Sequence, residues 1–341
     1  MVVRQTSPPP ASRLTSAPGG LGGKRVAVLM GGISAEREVS ISSGGAVVRA
    51  LEEVGYVVTP VVVNDEEVKE LYDLDVDVVF IAMHGYFGED GGVQELLESR
   101  GIPYTGSGVR ASRIAMDKAE SKWAFVQDGL PTPEFMTIRR NQPIQELEGL
   151  LLEKLPMPMV VKPSRNGSSM GVSIIHNILE LPQALETAFG YDEKVVIERY
   201  IRGRELTVGI LGEEALPVIE IRPAREFYDL SAKYEDRGTN YIITPDIPVD
   251  IYYEAQRLAL CAHSRLGCAG FSRVDMMLSE DMELFLLEVN TIPGFTERSL
   301  LPKAAKVAGI SFPDLCREIV LLAQRLSTGV KTGDNLSCIG V

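Results

Sequence analysis

The stretch "VVKPSRNGSSMGVS" (160–173) carries more of this chain's fold than any other. Two valines run straight into Lys162, and a loop of Ser, Asn and Gly follows. An apolar strand ending on a lysine sets a point cation at the mouth of a sheet, where it suits an oxyanion. The small-residue loop beyond it offers backbone N–H groups and hydroxyls that can fold over phosphate oxygens. No Lys-Ser or Lys-Thr closes the loop, so it is not a Walker A loop. Taken alone, the same residues also fit a solvated loop with an incidental lysine.

Working outward, "VVIERYI" (195–201) puts Glu198 and Tyr200 at another strand end. Such an edge could hold the amino group and face of an adenine, or be an ordinary strand end. Further on, "SRVDMML" (272–278) and "FLLEVN" (285–290) are apolar strands broken by polar residues two apart. The spacing sets Arg273 and Asp275 on one face, and Glu288 and Asn290 on one face. Polar groups on such strands are costly without partners. Asp, Glu and Asn oxygens suit Mg²⁺; an internal ion pair between Arg273 and a carboxylate explains the pattern equally well.

The remaining blocks describe an α/β protein. "KRVAVLM" (24–30), "YVVTPVVV" (56–63) and "DVVFIAM" (77–83) read as continuous apolar strands of a parallel sheet. Between them Val39, Ala46, Val47, Ala50, Leu51 and Val54 make a helical stripe. "GGVQELLESRG" (91–101) reads as a helix ended by glycine. This is a Rossmann-like βαβ domain over 23–105, with "GGISAERE" and "HGYFGEDGG" in the loops after its strands, where open α/β sheets take ligands. A helix around "MDKAESKWAFVQDG" (116–129) opens a second α+β block, 106–205, with strands at "EFMTIR", "PMVVK" and "VVIERYI". A third block, 206–326, has strands "LTVGIL" and "ALPVIEI", a long polar loop at 224–245, a helix near 250–266, the polar hairpin and two closing helices. Residues 1–22, rich in Pro, Ser and Gly, are expected to be a disordered tail, and 327–341 a second loose one.

Composition narrows the function. The 341 residues exceed one simple core. With 34 basic and 47 acidic residues the net charge is −13, which argues against a general nucleic-acid or acidic-membrane binder. Four cysteines without a C-x-x-C pair read as reduced thiols of a cytoplasmic protein. Zinc has no ligand spacing here. "GGISAE" is not G-x-G-x-x-G, which weakens a dinucleotide oxidoreductase.

Six stretches in order resemble the D-alanine–D-alanine ligase family of the ATP-grasp superfamily. They are "HGYFGEDGGVQELLESRGIPYTGSG", "MDKAESK", "VVKPSRNGSSMGVS", "FYDLSAKY", "GFSRVDMML" and "LLEVNTIPGFTERSLLP". The resemblance spans about 24–326 and implies an ATP-grasp fold, in which two α+β domains sandwich ATP. It further implies that Lys118 and Lys162 hold the phosphates with Ser169 in the loop over them. Glu198 and Glu205 would take the adenine amine and ribose, and Tyr200, Phe227, Met277 and Leu287 would line the base's slot. Tyr200 stands where the family often has tryptophan. Asp275, Glu288 and Asn290 would carry two Mg²⁺ (or Mn²⁺) ions. Glu36 and His84 would hold the first D-alanine, while Lys233, Ser299 and Leu300 would bind the second. Arg273 and the Gly294 N–H would stabilise the oxyanion. Glu36, Ser168 and Tyr234 would link the substrate domain to two loops. Without the resemblance, Glu36 reads as a first-turn helix carboxylate and His84 as a capping residue. The implied activity is ATP-dependent ligation of two D-alanines for peptidoglycan precursors, by a homodimer. The rivals are a D-alanine–D-lactate ligase, another ATP-grasp ligase, and a nucleotide-binding regulator without catalysis.

Overall fold

The computed structural model describes residues 23–72, 74–222 and 240–327, with backbone alone at 144–147. Three strands, β1 (Arg25–Gly31), β2 (Val57–Val63) and β3 (Val78–Ile81), form a parallel sheet in the order β2-β1-β3. Central β1 is apolar and buried from Val26 on, while edge strand β2 leaves Val57 and Val62 exposed. Helix α1 (Arg37–Glu53) crosses this sheet. Its buried face includes Ser40, Ser43 and Gly44 besides the aliphatic stripe. The small residues let the helix approach closely: a Cβ added at Gly44 would lie 2.4 Å from Met30 Cβ. Helix α2 (Gly92–Ser99) follows β3.

The helix expected at 116–129 is present, and a shorter one that was not expected precedes it. Asp117 leaves helical geometry between α3 (Val109–Met116) and α4 (Lys118–Gln127), and its side chain caps α4 by accepting from the Glu120 N–H. A four-stranded antiparallel sheet follows, with β4 (Phe135–Arg139), β5 (Met159–Pro163), β6 (Ser173–Ile175) and β7 (Lys194–Arg199) in the order β4-β7-β5-β6. Helices α5 (Ile144–Lys154) and α6 (Leu181–Phe189) bury Leu151, Leu181, Ala184, Leu185 and Ala188 against it.

The third sheet comprises β8 (Gly203–Leu211), β9 (Glu214–Ala215), β10 (Ile219–Arg222), β11 (Asn240–Ile243), β12 (Phe271–Ser279) and β13 (Leu284–Asn290). Its order is β11-β10-β8-β12-β13, with β9 paired to β8. Strand β11 corrects the expected loop at 224–245. "NYII" is too short to announce itself by pattern, but pairing with β10, Ile219 opposite Ile243 and Arg222 opposite Asn240, makes it a strand. Helix α7 (Val249–Arg265) covers one face of this sheet, and α8 (Leu300–Val307) and α9 (Phe312–Ser327) complete the chain described.

Phe80 of β3, Phe271 of β12 and Phe295 join the first sheet to the third. Their ring centroids lie 5.5–6.5 Å apart and all three are buried. Each such pair is worth about 0.5–1.5 kcal/mol beyond its buried area, so the loops after β1 and β3 are held against the β13 end. Among the described residues no helix is long and apolar enough to cross a membrane. Cys261, Cys268 and Cys316 are free thiols.

Candidate active site

The polar hairpin is the anchor. Arg273 stands opposite Asn290, and Asp275 opposite Glu288, with a register shift just after Asp275. The alternate residues Val274, Met276, Leu286 and Val289 turn into the core under α7. The four polar side chains therefore meet on the other face. Arg273 grips Asp275 through Nε–Oδ1 at 2.9 Å and Nη2–Oδ2 at 2.6 Å. Asn290 Nδ2 donates to Asp275 at 3.0 Å, and Thr207 Oγ1 donates to its other oxygen at 2.6 Å. Glu288 reaches across to Lys118 Nζ at 3.1 Å. The internal ion pair that the sequence allowed is thus present, and it is part of a larger cluster.

This face looks into a cavity of about 520 Å³ between the second and third sheets. Its walls include Lys118, Lys162, Ser168, Ser169, Glu198, Tyr200, Glu205, Asp275, Met277, Leu287 and Glu288. Lys118 is the first residue of α4, and its ammonium donates to Asn166 O at 2.7 Å. Lys162 ends β5 and pairs with Glu198 at the end of β7, two strands that are neighbours. Burial favours neutral Glu198, but the ammonium groups of Lys122 and Lys162 outweigh it and hold its pKa below the usual carboxylate range. A second buried carboxylate, Glu220, lines the cavity and is gripped by Arg204 and by Arg222 at 2.6 Å. Burial opposes its ionisation too, and the two guanidinium groups again win.

The loop after β5 bends through two consecutive residues in the left-handed region, Ser168 (φ 53°) and Ser169 (φ 56°). Non-glycine residues seldom adopt that conformation without a constraint. Here the bend delivers Ser168 Oγ to Glu36, to whose carboxylate it donates. Glu36 is the residue just before α1, and its side chain makes no capping hydrogen bond. Gly85 (φ +74°) lets the backbone pass: a Cβ there would sit 2.9 Å from Glu36 Oε2. His84 is buried, with Nε2 2.9 Å from Ser43 Oγ, and Nδ1 3.0 Å from Ile292 O and 3.4 Å from Glu89. Burial opposes its protonation, yet Glu89, Glu36 and the Ile292 carbonyl raise its pKa overall.

A second pocket, about 400 Å³, is lined by Ser43, Tyr241, Arg273, Gly294, Thr296, Arg298, Ser299 and Leu300 among others. Ser299 precedes α8, and its hydroxyl lies 3.0 Å from Thr296 Oγ1 and accepts from Thr296 N–H at 3.1 Å. Asp275 lines the larger cavity and Arg273 the smaller one, so their ion pair marks the border between the two.

Family models fit both parts of the chain. That of the D-ala D-ala ligase N-terminus matches residues 65–107, and that of the D-ala D-ala ligase C-terminus matches 125–321. A D-alanine–D-alanine ligase of Geobacter sulfurreducens is 46% identical over 310 residues, covering 91% of this chain and 97% of that protein. The chain belongs to the D-alanine–D-alanine ligase family. The family's crystal structures agree in fold: the Bacillus anthracis D-alanine–D-alanine ligase complexed with ATP superposes with a TM-score of 0.79 at 36% identity, covering 90% of this chain and 99% of that one. A D-Ala:D-Ser ligase from Enterococcus faecalis superposes equally, TM-score 0.79 at 29% identity, covering 88% and 99%. The ATP-grasp architecture expected from the resemblance is therefore the fold of this chain.

Of the site residues expected from that family resemblance, Phe227, Lys233 and Tyr234 lie outside the described residues. The others fall around the two pockets or in the Glu36–His84 cluster beside them. Lys122, Glu220, Arg204 and Arg222 were not anticipated. For Lys122 a signal existed: it stands four residues after Lys118, on the same face of a helix. For the Glu220 cluster there was none, since charges at the end of a short strand usually read as solvated.

Proposed function

We propose that this enzyme joins two D-alanines to D-alanyl-D-alanine at the cost of ATP, over the domains 23–105, 106–205 and 206–326. One observation carries the reading: the Arg273–Asp275 pair joins a cavity walled by two lysines and several carboxylates to a smaller pocket of hydroxyls, backbone and arginine side chains. A phosphoryl donor in the first then lies beside acceptors in the second.

ATP would lie between the second and third sheets. Tyr200, Met277 and Leu287 flank the base, Glu198 and Glu205 take its amine and ribose, and Lys118 and Lys162 take the phosphates. Phe227 and Lys233 belong to the same proposed set. The first D-alanine sits by Glu36 and His84. Its carboxylate attacks the γ-phosphorus, giving an acyl phosphate and ADP. The amine of the second D-alanine, held by Ser299, Leu300 and Lys233, attacks the acyl carbon and phosphate leaves. Arg273 and the Gly294 N–H face the oxyanion of that step. Ser168, bound to Glu36, would act with Tyr234 to close the loops and exclude water that would hydrolyse the acyl phosphate.

Among the described residues no three His, Cys, Asp or Glu side chains gather as a metal cage. Two carboxylates and an amide, Asp275, Glu288 and Asn290, do gather, and this all-oxygen set fits a divalent cation that completes its shell with phosphate oxygens. These residues would hold Mg²⁺ or Mn²⁺, which when bound neutralises triphosphate charge. A homodimer in the cytoplasm, supplying peptidoglycan precursors, completes the proposal.

The test is phosphate release from ATP and Mg²⁺ with D-alanine, against L-alanine, D-lactate and D-serine. D-alanine alone should support turnover, with the dipeptide as product. Turnover that is faster with a D-alanine and D-lactate or D-serine mixture, yielding the mixed product, would reassign the second substrate.

A further inference from the structure

Lys122 has no part in the chemistry above, yet it is completely buried. It sits one turn beyond Lys118 on α4 and does not line the nucleotide cavity. Its ammonium lies 2.7 Å from Glu198 Oε2 and donates to Thr132 Oγ1 at 2.7 Å. Thr132 in turn donates to Leu286 O on β13 at 2.8 Å, and the ring of Phe135 lies 5.5 Å from the ammonium. The contact with Glu198 has an ion pair's distance without a hydrogen bond's angles, so it is chiefly electrostatic. Glu198, itself buried, therefore stands between two cations, Lys162 on Oε1 and Lys122 on Oε2.

Two lysines for one carboxylate is an excess that a structural ion pair does not need. Removing the only partner of a buried charge is strongly penalised. If Lys162 were that only partner, it could not turn to a phosphate without stranding Glu198. Resting on the proposed role of Lys162, we propose that Lys122 is a positioning residue: the standing counter-ion of Glu198. It lets Lys162 leave that carboxylate for the nucleotide phosphates while Glu198 stays ionised to accept the amino group of the base. Its burial forbids contact with the nucleotide, so it acts only through Glu198. Burial pushes the Lys122 pKa down to about 8, with Glu198 opposing, which still leaves it mostly charged at neutral pH.

The test is equilibrium binding of ATP without any D-alanine, followed by calorimetry. Lys122→Met should weaken ATP at least about tenfold, a step of one decade in Kd. Lys122→Arg, which keeps the charge, should stay within about threefold. In a Glu198→Gln background no carboxylate needs compensation, so adding Lys122→Met should change ATP binding by less than about twofold. The KM for D-alanine at saturating ATP should not move. Equal weakening by Lys122→Met in both backgrounds, or no weakening in either, overturns the proposal. Lys122→Met leaves Glu198 its bond to Lys162, so it should fold; if circular dichroism shows otherwise, Lys122→Gln is read in its place. The binding assay requires no ligation, so a protein that binds ATP in this pattern but fails to join D-alanines would sink the ligase reading alone. Absence of ATP binding by the unaltered protein would sink both.

Discussion

In the cavity between the second and third sheets, both lysines already have partners: Lys162 lies on Glu198, which Lys122 also meets from behind, and Lys118 lies on Glu288. In the pocket beside it no lysine is present among the described residues; Arg273, Arg298 and Glu38 share the lining with the Ser299 and Thr296 hydroxyls, bonded to each other, and with Gly294. The first site is built for an exchange of charges. A highly anionic ligand can enter because it replaces carboxylates that were compensating buried ammonium groups. The second sets hydroxyls among charges of both signs, as suits a small zwitterion. The contrast teaches that binding in the larger cavity depends on where each displaced charge goes, whereas binding in the smaller one depends on hydroxyls and a few fixed charges placed for a small ligand.

The comparison is broken most severely at Glu288. Glu288→Gln removes one of the two carboxylates facing the phosphate lysines, and should lower kcat at least about a hundredfold with the circular dichroism spectrum unchanged. Near-normal turnover in Mg²⁺ would place the cation elsewhere. Ser168→Ala removes a charge-assisted bond worth about 1.5–3 kcal/mol between the loop and Glu36. ATP hydrolysed per dipeptide formed should rise about tenfold or more, and an unchanged ratio would show that this bond does not seal the site. Ser299→Ala sharpens the contrast. Losing one neutral hydrogen bond, about 0.5–1.5 kcal/mol, should raise the KM for D-alanine by roughly two- to tenfold. The Kd for ATP should stay as it was; a parallel loss of ATP affinity would mean that the two pockets are not separate in energy.

The smallest effect on turnover lies away from both pockets, where only stability responds. His263 is buried with Nδ1 2.6 Å from Ser272 Oγ, and burial lowers its pKa to about 4. A free histidine titrates near 6.5. Between those values the unfolded chain takes up a proton that the folded one refuses, so stability falls as pH drops from about 6.5 towards 4. From pH 7 to pH 5 this amounts to on the order of 2 kcal/mol, or a few degrees in Tm. In His263→Asn the decline in Tm over that interval should be smaller by that amount; an equal decline would mean that His263 is not the group responsible.

Taken one by one, few of the expected site positions stand out: Lys162 and Glu198 also fit an ordinary loop and strand end, and it is the order of six motifs that joins them. The hairpin is the exception: spacing alone set Arg273 with Asp275 and Glu288 with Asn290, and the observed pairing brings the two sets together. What spacing left open was the partner of each charge. Arg273 could have met either carboxylate, and it meets Asp275 because both rise from the same face two residues apart, while the register sets Glu288 towards Lys118. His84 reads as a capping residue until the family resemblance gives it a ligand's role. Its burial against Ile292, 208 residues away, is a tertiary fact.

By itself, then, the sequence determined the parallel first sheet, the position of the polar hairpin and the place of Lys162 near a strand end. Hydrophobic period and turn chemistry are local, so they are written in consecutive residues. Only the tertiary structure decided that "NYII" is a strand and that Lys122 lies under Glu198. Those outcomes depend on pairing and burial between segments far apart in the chain. A buried lysine and an exposed one look alike until the fold supplies the carboxylate that justifies the burial.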